Sequence, residues 1–216
     1  MKAVCVLSGG MDSTTLLYRL IKEGHSVYAI SFNYGQRHRK ELEYASRTCK
    51  KLGVEHKIVN LSMLKELLSG SSLTSDIEVP EGHYEEESMK STVVPNRNMI
   101  MLSIAGGWAV SLEADLIAIA VHAGDHAIYP DCREEFIVEA SKALFEGNYH
   151  KVVIYYPYID KTKAEIAREG LDLGISYDED TWSCYKGESE PCGKCGTCVE
   201  RIEALELAKK MRHQNA

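Results

Sequence analysis

The sequence predicts an α/β protein: a doubly wound sheet of five parallel strands, covered by helices, with a small zinc-binding helical appendage at its C-terminal end. Three observations lead there. Short apolar runs alternate with stretches of helical spacing; a glycine-rich turn, Ser8-Gly9-Gly10-Met11-Asp12-Ser13, joins the first run to the first helix; and four of the seven cysteines crowd together late in the chain.

Lys2 to Leu7 is a short apolar run and reads as the first strand. From Asp12 to Glu23, Leu16, Leu17, Leu20 and Ile21 recur at helical spacing, and Ser26 to Phe32 returns to a strand pattern. A second helix is expected from Arg37 to Leu52, closed by Gly53, and a third strand from Glu55 to Leu61. Ser69 to Thr92 mixes serines, Gly70, Pro80, Gly82 and the acidic run Glu85 to Glu87 into a long irregular connection, of the kind that forms lids or binding segments. Helical spacing resumes from Arg97 to Glu113, Leu116 to Val121 is a continuous apolar strand, and Cys132 to Phe145 is the next helix. Val152 to Tyr155 supplies a fifth strand, Thr162 to Leu173 one more helix, and Thr197 to Arg212 the last. Such alternation gives a parallel sheet with ligands at the carboxyl ends of its strands. The expected division is an α/β domain over residues 1–175 and a metal-binding segment over 176–216.

Composition narrows the function classes. A chain of 216 residues that is 44% hydrophobic buries one substantial core. Its longest apolar runs, such as Asp115 to Val121, are interrupted by charge well short of the ~20 residues that a membrane span needs. Met1 leads directly into a short apolar segment, without the longer hydrophobic region and cleavage site of a secretory signal, so the expected compartment is the cytoplasm. A formal net charge of −7 opposes tight binding of phosphate backbones, and no stable nucleic-acid or membrane partner is expected.

The glycine turn sits where a strand becomes a helix, the place where backbone N–H groups are free to face an anion. It lacks both the Gly-Lys-Ser/Thr ending of a Walker loop and the G-x-G-x-x-G of a dinucleotide fold. Cys184, Cys192, Cys195 and Cys198 have the spacing C-x7-C-x2-C-x2-C, with Gly193 and Gly196 supplying turns between them. Four thiolates suit a closed, tetrahedral, structural zinc site; an iron–sulfur cluster is the competing reading of the C-x2-C-x2-C element. Cys5, Cys49 and Cys132 read as ordinary thiols.

Three further segments join charged and aromatic groups at expected strand ends: Tyr34-Gly35-Gln36-Arg37-His38, Val94-Pro95-Asn96-Arg97-Asn98, and Tyr129-Pro130-Asp131-Cys132-Arg133-Glu134. The Ser-Gly-Gly-x-Asp-Ser loop resembles that of the PP-loop ATP pyrophosphatases. With the three segments and the four cysteines added, nearly the whole chain resembles the 7-cyano-7-deazaguanine synthase (QueC) family. Two departures stand out: where many relatives carry Glu-Thr-Asp, this chain has His122-Ala123-Gly124-Asp125-His126, and a glycine before the Arg-Asn pair is Asn96.

The resemblance implies a Rossmann-like fold of the adenine nucleotide alpha hydrolase type and an ATP-dependent conversion of 7-carboxy-7-deazaguanine and ammonia to the nitrile, with ATP, Mg²⁺ and structural Zn²⁺ and a homodimer. It assigns nucleotide binding to Leu7, Ser8, Gly9, Gly10, Met11, Asp12, Ser13, Thr14, Thr15, Leu16 and Leu17. Substrate contacts fall to Tyr34, Gln36, Arg37, His38, Arg97, Asn98, Asp125, Asp131 and Arg133, and catalysis to Asp12, Ser13, Arg97, Asp131 and Lys163. A tRNA-thiolating PP-loop enzyme is the alternative; it shares the loop, whereas the acidic balance opposes it.

Overall fold

The computed structural model describes residues 1–36, 39–75, 77–82 and 87–214. Five strands, β1 (Lys2–Val6), β2 (Ser26–Asn33), β3 (Glu55–Asn60), β4 (Leu116–Ala118) and β5 (Val153–Tyr155), form one sheet in the order β3-β2-β1-β4-β5. Every pairing is parallel, with Val4 of β1 beside Tyr28 on one side and Ile117 on the other. Ala3, Val4 and Cys5 are wholly buried, as a central strand covered on both faces requires.

The helices are α1 (Met11–Lys22), α2 (Lys40–Leu52), α3 (Arg97–Ser111), α4 (Glu134–Glu146), α5 (Lys163–Asp172), α6 (Tyr177–Asp180) and α7 (Gly196–Gln214). Successive residues of β1 serve opposite faces. Ala3 and Cys5 pack with Leu16, Leu17 and Leu20 of α1, Ala45 and Cys49 of α2 and Ile166 of α5. Val4 packs instead with Leu102, Ala105 and Ala109 of α3 and Ile137 and Ala140 of α4. From β1 the chain winds outward through β2 and β3, then returns to build β4 and β5 on the other side. That reversal leaves a crevice beyond the carboxyl ends of β1 and β4, where open α/β sheets bind ligands.

The expected doubly wound sheet is therefore the one that forms, with local differences. β4 ends at Ala118, and Ile119, Ala120 and Val121 run on past the ladder into the crevice. A buried extension and a buried strand need the same apolar residues, so the run could not mark where pairing stops. α4 begins at Glu134, two residues later than expected, because Pro130–Cys132 forms a 3-10 turn and Arg133 is extended (φ −78°, ψ 153°). Asn96, in place of a glycine, is left-handed at φ 55° just before α3, a conformation asparagine tolerates. Residues 37 and 38, at the expected start of the second helix, lie outside the described residues. The one-turn α6 is too short for periodicity to reveal.

The C-terminal segment folds back onto the sheet domain. Ala204 and Ala208 of α7 pack with Met11, Ala167, Ile175 and Tyr177, and the Tyr177 hydroxyl lies 2.7 Å from Thr15 Oγ1. Gly170 of α5 makes this approach possible: a methyl group there would sit 1.8 Å from Tyr177 Oη. Gly170→Ala is expected to lower stability by about 1–3 kcal/mol through overpacking. An unchanged urea midpoint would show that Tyr177 can leave Thr15 at no cost.

Candidate active site

The turn after β1 is held by its own serines. Ser8 N–H donates to Ser13 Oγ (3.1 Å), the two hydroxyls lie 2.9 Å apart, and Gly10 N–H donates to Ser8 Oγ (3.1 Å). Gly9 is left-handed at φ 89°, and a Cβ there would meet the Glu41 carbonyl oxygen at 2.0 Å, so the loop presses directly on the first turn of α2. Gly10 is the N-cap of α1, and no side chain caps this helix. The first-turn N–H groups of α1 thus face the crevice as an anion-binding end.

Asp12, in that first turn, faces Lys163 at the start of α5, which Thr162 caps in a reciprocal box with Glu165. Lys163 Nζ lies 3.1 Å from Asp12 Oδ2 and 2.8 Å from Glu200 Oε2 of α7, and all three side chains are mostly buried. Burial pushes the Asp12 carboxyl up, but the charge and hydrogen bond of Lys163 outweigh it and leave the group below the usual carboxylate range. Asp12 Oδ1 is buried with no hydrogen-bond partner among the described residues. His122 completes the cluster. Its Nδ1 accepts from Gly124 N–H (3.1 Å), and its Nε2 faces Asp125 Oδ1 at 3.6 Å and Asp12 Oδ2 at 3.8 Å.

Asp12, Asp125 and Lys163, with Ser8, Gly10 and Ser13 of the turn, line one end of a cavity of about 210 Å³ in the crevice. At the other end stands Arg97, the first residue of α3, 5.9 Å from the centre of the Tyr129 ring. Arg97 is half-buried beside Tyr34 and Tyr185; loss of solvent disfavours its charge, and these neighbours more than compensate, holding its pKa above the ordinary value. Glu41 lines the wall between, accepting a hydrogen bond from Gln36 Nε2 (3.3 Å). Burial pushes its carboxyl up to about 8.

Of the residues singled out from the sequence, Leu7, Ser8, Gly10, Met11, Asp12, Ser13, Tyr34, Arg97, Asn98, Asp125 and Lys163 line this cavity. Thr14, Thr15, Leu16 and Leu17 point into the interior instead, and buried Gln36 fixes the turn after β2 through Tyr34 N–H and the Phe32 carbonyl. Asp131 lies outside the lining: its Oδ2 accepts from Asn98 N–H (3.0 Å), steadying the start of α3. Arg133 is exposed and donates to the His126 carbonyl. Arg37 and His38 lie outside the described residues. The sequence reading missed Glu41, Trp182, Ser183, Tyr185 and Thr197 as lining residues. Trp182, Ser183 and Tyr185 flank Cys184, so the cysteine loop was a signal for them.

The sulfur atoms of Cys184, Cys192, Cys195 and Cys198 all lie within 4.8 Å of one another. The cluster is tied to the cavity, since Trp182 N–H donates to the Gly9 carbonyl (2.9 Å) and Thr197 Oγ1 to the Ser183 carbonyl (2.7 Å). Among the described residues, no helix is long and apolar enough to cross a membrane.

The raised pKa of Glu41 has a measurable sign. Between the ordinary carboxylate range and about pH 8, the unfolded chain releases this proton while the folded chain keeps it, so stability falls as pH rises. Glu41→Gln removes that loss, and its advantage in unfolding free energy over the wild type should grow from pH 5 to about pH 8. A difference independent of pH would contradict the burial of an ionisable group there.

Comparison with known proteins agrees with this geometry. The family model described as "Queuosine biosynthesis protein QueC" matches residues 2–209. The chain is 58% identical over 205 residues to a 7-cyano-7-deazaguanine synthase from Hahella chejuensis, covering 95% of this chain and 88% of that one. It is 54% identical over 206 residues to the synthase from Pseudoalteromonas translucida, covering 95% and 94%, and 54% identical over 208 residues to that from Methanoregula boonei, covering 96% and 95%. Solved structures share the fold at low identity. They include a 4-thiouridine synthetase–RNA complex with bound ATP (TM-score 0.52, 19% identity, 97% of this chain and 52% of that one). Another is NMN synthetase from Francisella tularensis (TM-score 0.52, 12% identity, 98% and 76%). A family model spanning nearly the whole chain, and relatives above half identity over the same span, make this chain a member of the 7-cyano-7-deazaguanine synthase (QueC) family.

Proposed function

We propose that the chain is an ATP-dependent carbon–nitrogen ligase that converts 7-carboxy-7-deazaguanine and ammonia to 7-cyano-7-deazaguanine, in queuosine-type 7-deazapurine biosynthesis. The observation that carries this reading is one cavity with two unlike ends. One end is a backbone loop with Lys163; the other is an arginine set among tyrosines. The first suits a triphosphate and the second a planar aromatic carboxylate, for which arginine offers a fork of donors and tyrosine a stacking surface.

In this reading the acceptor's carboxylate oxygen attacks the α-phosphate of ATP, and pyrophosphate leaves. Ammonia then displaces AMP to give the amide. The amide oxygen then attacks the α-phosphate of a second ATP with release of pyrophosphate, and loss of AMP and the two amide protons leaves the nitrile. The loop N–H groups, Ser8, Ser13 and Lys163 stabilise the charge that develops on pyrophosphate, while Arg97 holds the acceptor. Asn98 and Asp131 set the start of α3, and with it the position of Arg97. Excluding water from the cavity protects the adenylate from hydrolysis.

Two metals fit the residues present. Asp12 Oδ1, buried and unpartnered among the described residues beside the phosphate loop, fits Mg²⁺, which when bound neutralises charge on the phosphates. Four converging sulfurs with no open position fit a structural Zn²⁺. The segment from residue 176 onward then serves as a zinc-held wall of the ATP-binding domain of residues 1–175, in a cytoplasmic homodimer.

Two experiments test the proposal. Incubation of the protein with MgATP, ammonium and 7-carboxy-7-deazaguanine, followed by mass spectrometry, should give nitrile and AMP, and Arg97→Ala should lower kcat/KM for the acceptor about a hundredfold or more. Intact acceptor beside a folded, metal-loaded protein would sink the reading. Separately, Cys195→Ser should abolish the single zinc per chain seen by elemental analysis and lower the melting temperature. Iron with visible absorbance in the wild type would point instead to a cluster.

A further inference from the structure

Lys163 and Asp12 line the cavity, whereas Glu200 does not. Glu200 stands behind the lysine, on the first turns of α7, and accepts from Nζ at 2.8 Å while Asp12 Oδ2 takes the other side at 3.1 Å. Gly124 backs onto it: a Cβ there would lie 3.4 Å from Glu200 Oε1. Glu200 is only 15% exposed, so it gives up solvent in order to hold the ammonium.

We infer that Glu200 is a positioning residue for Lys163: it holds the ammonium at the cavity wall, shared with Asp12, so that the lysine is in place to meet charge developing on the departing pyrophosphate. The inference rests on the proposed adenylation. It also makes α7, two residues beyond Cys198, part of the phosphate site without touching substrate.

A merely electrostatic role predicts a different outcome. Removing a negative charge beside a triphosphate should tighten ATP binding and leave turnover intact or faster. Positioning predicts a fall in kcat without a rise in the KM for ATP, because the lost interaction belongs to the transition state.

The test compares wild type, Glu200→Gln, Lys163→Met and the double variant as full-length, zinc-loaded proteins, measuring MgATP affinity by calorimetry and turnover by pyrophosphate release. Glu200→Gln should lower kcat roughly tenfold, the scale of one charge-assisted hydrogen bond. In the Lys163→Met background it should change neither kcat nor MgATP affinity further. Unchanged kcat in Glu200→Gln, or the same fold loss with and without Lys163, overturns the inference; the second result is also what simple misfolding would give. If the wild type releases no pyrophosphate with the acceptor, the proposed reaction fails. The inference, which rests on adenylation, then falls with it, whereas pyrophosphate release by the wild type with an unchanged kcat in Glu200→Gln overturns the inference alone.

Discussion

An ammonium taken out of water must be surrounded by anions, and in this protein the anions that surround Lys163 come from distant parts of the chain. Asp12 arrives in the first turn of α1 and Glu200 on the last helix. Because neither carboxylate can be withdrawn without stranding buried charge, the pair fixes how α5, α1 and α7 meet. The glycine turn is then squeezed from two further sides: α2 presses its Glu41 carbonyl against Gly9, and the Trp182 N–H grips the Gly9 carbonyl. The loop's shape is set by what packs around it as much as by its own serines.

The sheet topology explains why the two ends of the cavity can differ so sharply. At the reversal of strand order, α1 leaves β1 on one face of the sheet while α3, the helix that leads into β4, covers the other, so one wall is built from the first turn of α1 and the other from the start of α3. A glycine-rich turn binds through its backbone and tolerates polar surroundings. The arginine end needs aromatic walls, and it draws them from three separate segments, Tyr34, Tyr129 and Tyr185. Asn98 joins two of the polar segments by donating to both the carboxylate and the carbonyl of Asp131.

Much of this was legible beforehand. Helical spacing located α1, α3, α5 and α7, and the strand runs located β1, β2, β3 and β5, because each buries a defined face and so carries a period. The Ser8 to Ser13 loop and the cysteine spacing marked their sites because each demands particular residue types in close sequence. Glu41 left no such mark: an acidic residue in the first turn of a helix has the same pattern whether it meets solvent or a cavity. Asp131 shows the opposite limit, since its segment was conspicuous but its carboxylate is turned to the backbone of Asn98. Local sequence carries residue type and period, whereas the direction of a polar side chain is decided by partners far along the chain.

The hydrogen bond from Trp182 to Gly9 ties the segment before the cysteines to the turn after β1. A chain emerging from the ribosome makes β1, the glycine turn and α1 first, yet the turn gains its last partner only after the cysteine segment has been synthesised. Contacts of such long sequence separation are costly in loop closure and form late. A nascent or truncated chain therefore carries the glycine turn without the partner that completes its setting.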